Sequence, residues 1–411
     1  MNVLYVVGSC LTKNTSANMS HNAYVQGLLE NGCSVDILMA EDSWGQKDDG
    51  LPVWEQATYF LYPSESFRDK LRKKTRGVFQ AATTVKTEGQ SMGLKNNSAN
   101  AELKTKLRAA VKFIFNKCFP PDPVYPLDHE WIKNAARFQG VTEYDLVVSN
   151  SSPEASHKLV AILRDRHRIM YKRWVQIWED PWYYDIYGGC SEKIREEEHY
   201  LLREATEIFY VSPLTLYYQK KYFQDCADKM KCIPLPFLNI ASQSETLCGE
   251  ISFGYFGDYY SYTRNLMPFY EAICKSGYTG YIYGDSDLTL QATDKVTVSE
   301  RVTLDKLAAI QSKTKVLVHL CNLRGGQIPG KIYHYSSTDK PILFILDGTK
   351  EEIEIIHSYF GKFNRYYFCE NNKQSIARAI CDLAGDCSKH RGQMVDAFAP
   401  KNVVEAILHT D

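Results

Sequence analysis

The sequence predicts an α/β protein made of two parallel-sheet domains in succession. Three observations predict it. Short β-rich apolar runs alternate with amphipathic stretches, the pattern of a parallel sheet covered by helices on both faces. The series occurs twice, and Pro234-Leu235-Pro236 lies between the two occurrences. Two prolines there remove backbone donors and fix φ, so neither a central strand nor a helix passes through. At 411 residues the chain is long enough for two cores.

The first series opens with a buried strand, Asn2 to Val7, followed by a helix around Met19 to Asn31. Gly32 stands where that helix stops, because a glycine takes the left-handed conformation that ends helices. Ser34 to Met39 is the second strand. Asp145 to Ser149 and Arg173 to Trp178 follow, separated by a helix entered through Pro153. Glu207 to Val211 and Met230 to Ile233 complete this half. The second series runs from the strand Glu250 to Phe256 through a helix from about Thr263 to Lys275. Tyr278 to Tyr283, Lys295 to Val298, Lys315 to Leu320, Lys340 to Ile345 and Tyr366 to Cys369 are its further strands. An amphipathic stretch from Val395 to Leu408 ends the chain. Residues 1–235 and 236–392 are therefore read as the two domains, and 393–411 as a helix returning to the first. Val395, Phe398, Val403, Ile407 and Leu408 need a surface to cover.

Composition narrows the function. With 48 Lys plus Arg against 49 Asp plus Glu, the chain lacks the basic excess on which a dedicated nucleic-acid binder rests. Its 28 Tyr, 18 Phe and 6 Trp exclude a disordered chain. No export signal and no run approaching a membrane span is visible, so a cytoplasmic location is expected. The 12 cysteines are scattered without zinc-ligand spacing and read as mostly buried free thiols. Residues 65–118 depart from the average, with thirteen Lys plus Arg against four acids. Two readings stay open for this insertion: a solvated loop between basic helices, or an electrostatic foot on an anionic membrane at its inner face.

Ligands of open α/β sheets bind beyond the C-terminal ends of the strands. After the first strand of the second half comes GDYYSYTRN, Gly257 to Asn265. Gly257 lets backbone approach a phosphate and Arg264 adds charge. After Lys315 to Leu320 comes CNLRGGQIPGKIYHY, in which Arg324 and Gly326 form a flexible basic loop and Lys331 falls in the first turn of a helix. A lysine is unfavourable there unless an anion is present. In the first half, Glu179 and Asp180 emerge at the end of Arg173 to Trp178 as acid/base candidates. Adjacent residues of an extended segment point oppositely, so at most one faces the cleft. Asp285-Ser286-Asp287 reads as a DxD metal motif but follows a glycine at a strand end, where a polar turn is expected anyway.

IPGKIYHYSSTDKPIL resembles the (I/V)P(S/G)K(L/I)(F/Y)EY…KPIL signature of bacterial group 1 (family 4-like) glycosyltransferases of the GT-B architecture. VQIWEDPW, YDLVVSNSSPEASH, and YVSPLTLYYQKKY with CIPLPF resemble further segments of that family in the same order, from about Pro120 to Ile345. The resemblance implies two Rossmann-like domains facing each other across a cleft. It implies transfer of a sugar from a nucleotide-sugar donor to a glycan or polyprenyl-linked acceptor, in bacterial surface polysaccharide assembly. It carries donor contacts onto Gly257, Arg264, Arg324, Gly326, Lys331 and His334, and acceptor contacts onto Ser151 and His157. No metal or other cofactor is expected, the nucleotide-sugar being a substrate. The chain departs from the pattern at Asp258, where many relatives have Arg, and at Gly326 and His334, where they carry a pair of Glu. A nucleotide-sugar epimerase on the same scaffold, and a non-catalytic partner that lost the donor site, therefore stay open.

Overall fold

The computed structural model describes residues 1–9, 11–13, 15–41, 50–65, 122–140, 142–186, 190–238 and 250–409. The basic insertion, apart from Glu65, lies outside them. Among the described residues two separate parallel sheets form. The first comprises β1 (Asn2–Val7), β2 (Ser34–Glu41), β3 (Thr58–Pro63), β4 (Glu143–Asn150), β5 (Met170–Trp178), β6 (Glu207–Tyr210) and β7 (Met230–Cys232). Its order is β3-β2-β1-β4-β5-β6-β7. The second comprises β8 (Ser252–Phe256), β9 (Thr279–Tyr283), β10 (Val296–Ser299), β11 (Val316–Leu320), β12 (Ile342–Leu346) and β13 (Tyr366–Glu370), in the order β10-β9-β8-β11-β12-β13. The fold class is thus as expected: mixed α/β with two Rossmann-like sheets.

Both sheets reverse strand order once, between β1 and β4 and between β8 and β11, and ligand crevices open at such switch points. The central strands are mostly apolar because helices cover both faces; every residue of β8, β11 and β12 is buried, His319 of β11 included. β3, which the sequence reading missed, is a half-exposed edge strand of TYFLYP, with no uninterrupted buried run to announce it.

One apolar cluster runs through both halves. It joins Val25, Leu28 and Val35 to Leu235 and Phe237 of the linker, to Ile342 and Phe344 of the second sheet, and to Phe398, Val403 and Ile407. The last helix, Pro400–Leu408, lies on the first, Ser16–Glu30, and Gly27 makes the approach possible: a Cβ there would sit 2.2 Å from Pro400 O. Asn31 Nδ2 donates to Lys401 O at 2.9 Å. This last helix is shorter than expected because Pro400, lacking an N–H, starts it after a 3₁₀ turn at Asp396–Phe398.

The nine cysteines among the described residues are free, but only Cys33, Cys226 and Cys321 are buried. The expectation of mostly buried thiols fails: Cys232, Cys274, Cys369 and Cys387 are half-buried, and Cys190 and Cys381 are exposed. No helix of the described residues is long and apolar enough to cross a membrane.

Candidate active site between the two sheets

The seam between the domains is built on polar contacts around the loop after β11. Ser212 Oγ and Thr215 Oγ1 both donate to Gly326 O, at 2.9 and 2.6 Å, and Tyr333 OH donates to Val211 O at 2.7 Å. A Cβ on Gly326 would lie 3.2 Å from Thr215 Cα. The structure therefore places Gly326 in the seam, its carbonyl already taken, and not at a free phosphate-binding surface.

On the first-domain side, β5 ends at Trp178, and Glu179 and Asp180 follow it in a bend, Glu179 half-buried and Asp180 exposed. Glu179 turns inward. Ser151 Oγ accepts from Glu179 N at 3.2 Å, and Glu179 Oε1 lies 3.1 Å from His21 Nε2, with the Glu179 side chain 10% exposed and that of His21 fully buried. Ser9 Oγ donates to Asn18 Oδ1 at 2.6 Å and therefore accepts from His21 Nδ1 at 3.1 Å, which leaves His21 Nε2 facing the carboxyl group. His21 escaped the sequence reading. Its signal was that the first helix places Asn18, His21 and Asn22 where its periodicity calls for buried apolar residues.

Asp180 is exposed, and Gln327 of the second domain reaches it. Desolvation, then the Glu179, Asp185 and Glu154 carboxylates, push its pKa up to about 7 against a hydrogen bond from Gln327. Gln327 belongs to the second domain and also donates Nε2 to Asp185 Oδ1 at 3.1 Å. Glu154 is likewise pushed up to about 7, chiefly by burial. A carboxyl group near neutrality exchanges protons readily at working pH.

Two residues expected at the acceptor surface lie elsewhere. His157 is fully buried under Trp178, ring centroids 4.3 Å apart, with Nδ1 2.8 Å from Ser149 Oγ, and burial drives its pKa down to about 3. Ser151 is 1% exposed and orients the Glu179 backbone. Both face inward because the helix Ala155–Asp165 packs directly on the sheet.

On the second-domain side, Gly257 ends β8 with its N–H on Tyr283 O at 2.9 Å. Arg264 is fixed in two ways: Nε donates to Asn322 Oδ1 at 2.9 Å and Nη1 to Asp258 O at 2.6 Å. Lys331 has no ion pair among the described residues. Burial lowers its pKa to about 8, with Arg301 and Arg264 adding to the shift and Asp258 opposing it. The helix it begins, Lys331–Tyr335, has five residues, so the unfavourable setting comes from burial and neighbouring cations more than from a helix dipole. His334, one turn on, is held neutral by burial and by Lys331, its pKa lowered to about 4. Arg324 is exposed. Asp258 is occupied by Arg301, which the sequence reading also missed: Nε donates to Oδ1 at 2.9 Å and Nη2 to Oδ2. The acids of the DxD triplet are committed to the turn, Asp287 accepting from Ser261 N at 2.7 Å and Asp285 from Arg301 N at 3.2 Å. Among the described residues His199, Asp225 and Cys226 are close enough to share an ion, away from this site, and Arg203 already binds Asp225.

The site thus has Asp180, its pKa raised, on one domain, and Arg264, Lys331 and Arg301 after the strand ends of the other. No family model matches the chain, and no curated protein matches it in sequence. Solved structures do. The Anabaena protein HepE, in complex with UDP, superposes with a TM-score of 0.52 at 11% identity, covering 99% of this chain and 95% of that one. A glycosyltransferase from Rickettsia africae gives 0.49 at 10% identity over 98% and 93%. A UDP-GlcNAc 2-epimerase from Neisseria meningitidis bound to UDP-GlcNAc gives 0.46 at 11% identity over 99% and 98%. The likeness to HepE establishes the fold, two Rossmann-like domains of the GT-B type.

Proposed function

We propose that the chain is a glycosyltransferase that moves a sugar from a nucleotide-sugar donor to a hydroxyl of a glycan or lipid-linked acceptor. The observation that carries this reading is Lys331, a partly buried cation with a lowered pKa and no ion pair among the described residues, near Arg264 at the switch point of the second sheet. A cation partly withdrawn from water gains from a counter-ion, and a diphosphate is an anion of suitable charge for such a place. Lys331 and Arg264 hold the leaving diphosphate and stabilise the charge that grows on it, with Gly257 leaving backbone room. Asp180 takes the proton of the acceptor hydroxyl. The Glu179–His21 pair beneath it keeps Glu179 turned inward and helps to hold Asp180 near neutrality. Neutral His334 can hydrogen-bond a ribose diol, where relatives of the resembled family use a carboxylate. The HepE complex with UDP, on the same fold, supports the choice of nucleotide.

Thermal shift against UDP, GDP and ADP tests the reading, since ligand at 100 times its Kd stabilises by about 2.7 kcal/mol. No shift with any of them would end it and favour a non-catalytic protein. One observation favours a second reading, an epimerase: Asp180 and Glu154 are two carboxyl groups near neutrality on one side of the cleft, as proton removal and return require. An epimerase converts its nucleotide-sugar with no acceptor present, so product analysis without acceptor decides between them.

A further inference from the structure

The loop after β10 brings Arg301 past β9 to Asp258, just after the end of β8. The reach depends on Gly284, whose missing side chain lets the β9 loop lie against the β8 loop: a Cβ there would fall 1.9 Å from Gly257 O. Asp285 completes the cradle, its N–H on Asp258 Oδ1 at 3.0 Å and its Oδ2 3.3 Å from Arg301 Nε. The two partners are unequally placed, the Arg301 side chain being 68% exposed and that of Asp258 22%. Nε and Nη2 of Arg301 serve the carboxylate, and the rest of the guanidinium faces open space.

An ion pair this exposed contributes little to folding. Its location is more telling. Arg301 and Arg264 are both felt at Lys331, and Asp258 is common to all three: its carboxylate binds Arg301, its backbone carbonyl accepts from Arg264, and its charge is felt at Lys331. Three cations are thus gathered around one internal anion.

We infer that Arg301 is a third binding residue for the donor's diphosphate, and that Asp258 is the counter-ion that holds it until the diphosphate arrives. The inference rests on the nucleotide-sugar reading of the site. On binding, the diphosphate takes over the outward edge of Arg301 and shares it with Lys331 and Arg264. Asp258, left with less of the guanidinium, keeps its contact to Asp285 N.

Calorimetric titration with inorganic pyrophosphate, UDP and uridine, on the full chain and on Arg301→Ala and Asp258→Asn, tests this. Arg301→Ala weakens pyrophosphate and UDP by about tenfold or more, the loss of one charge-assisted hydrogen bond, and leaves uridine unchanged. Asp258→Asn has the opposite sign, tightening pyrophosphate about threefold because a repelling charge beside the anion is gone. The inference is overturned if Arg301→Ala leaves pyrophosphate affinity within about twofold, the behaviour of a purely structural ion pair. It is also overturned if Asp258→Asn weakens binding, or if uridine suffers the same loss as UDP. Should the unaltered chain bind pyrophosphate but none of UDP, GDP and ADP, the nucleotide reading fails while the Arg301 comparison still decides the anion site. Binding of no pyrophosphate at all overturns Arg301 as an anion ligand. Melting curves of both variants without ligand show that each is folded.

Discussion

His21 Nε2 faces Glu179 Oε1 at 3.1 Å inside the first domain, so the helix after β1 and the end of β5 are tied together directly beneath the cleft. The contact fixes which of two adjacent acids is internal, and thereby hands the cleft to Asp180.

That coupling predicts non-additive kinetics. His21→Asn and Glu179→Gln each lower kcat by about 10–100-fold, and the double variant loses about as much as either single one, as residues acting as a unit do. KM for the donor stays nearly constant. A double variant whose loss is the product of the two single losses would show independent roles.

The pH–rate profile of kcat/KM should be a narrow bell. Asp180 works ionised, so activity rises as pH passes about 7; Lys331 works protonated, so activity falls above about 8. Asp180→Asn removes the acid limb and lowers kcat by about 10²–10⁴-fold. Glu179→Gln moves the acid limb to lower pH, because one of the charges that raise the Asp180 pKa is gone. An acid limb indifferent to Glu179 would contradict the assignment.

Gly27→Ala tests the packing of the last helix on the first. Alanine in a helix interior is favoured over glycine by about 1 kcal/mol. Here its methyl would meet Pro400 O at 2.2 Å and Val404 at 2.6 Å, and overpacking costs about 1–3 kcal/mol. The backbone oxygen cannot swing aside, so a net loss in Tm is expected. A gain in Tm would mean that the last helix shifts freely.

Glu198 is fully buried, and its Oε2 accepts from Tyr183 N at 2.6 Å. Desolvation raises its pKa to about 8. The folded chain therefore keeps a proton that the unfolded chain releases above its ordinary carboxylate range. Stability from this group is full at low pH and is lost as pH rises through about 8. Glu198→Gln keeps an acceptor for Tyr183 N and removes the ionisation. The variant should be nearly neutral at pH 5 and more stable than the parent at pH 9, by about 1–3 kcal/mol. Chemical denaturation at the two pH values measures the difference, and equal differences at both would exclude a buried protonated acid.

The sequence by itself determined the architecture. β1, β5, β8 and β11 were legible within about three residues because a strand covered on both faces is an apolar run of strand length, a local property. Gly32, at φ 74°, ends its helix as its type requires. The helix expected from Thr263 begins at Met267, because Tyr260, Thr263 and Arg264 form a turn that positions the guanidinium before Pro268 starts the helix. The sequence offers Glu179, Asp180, Gly257, Arg264 and Lys331 as site candidates because they follow strand ends. What tertiary structure alone decided was the use of each. His157 and Ser151 went inward, Gly326 into the seam, His21 against Glu179, and Arg301 past β9 to Asp258. Strand and helix periodicity is set by neighbours in sequence. The charge state and partner of a side chain are set by groups that meet only when the sheets and their helices have closed around them, and desolvation by those groups shifts the pKa values of Asp180 and Lys331 toward neutrality from opposite sides.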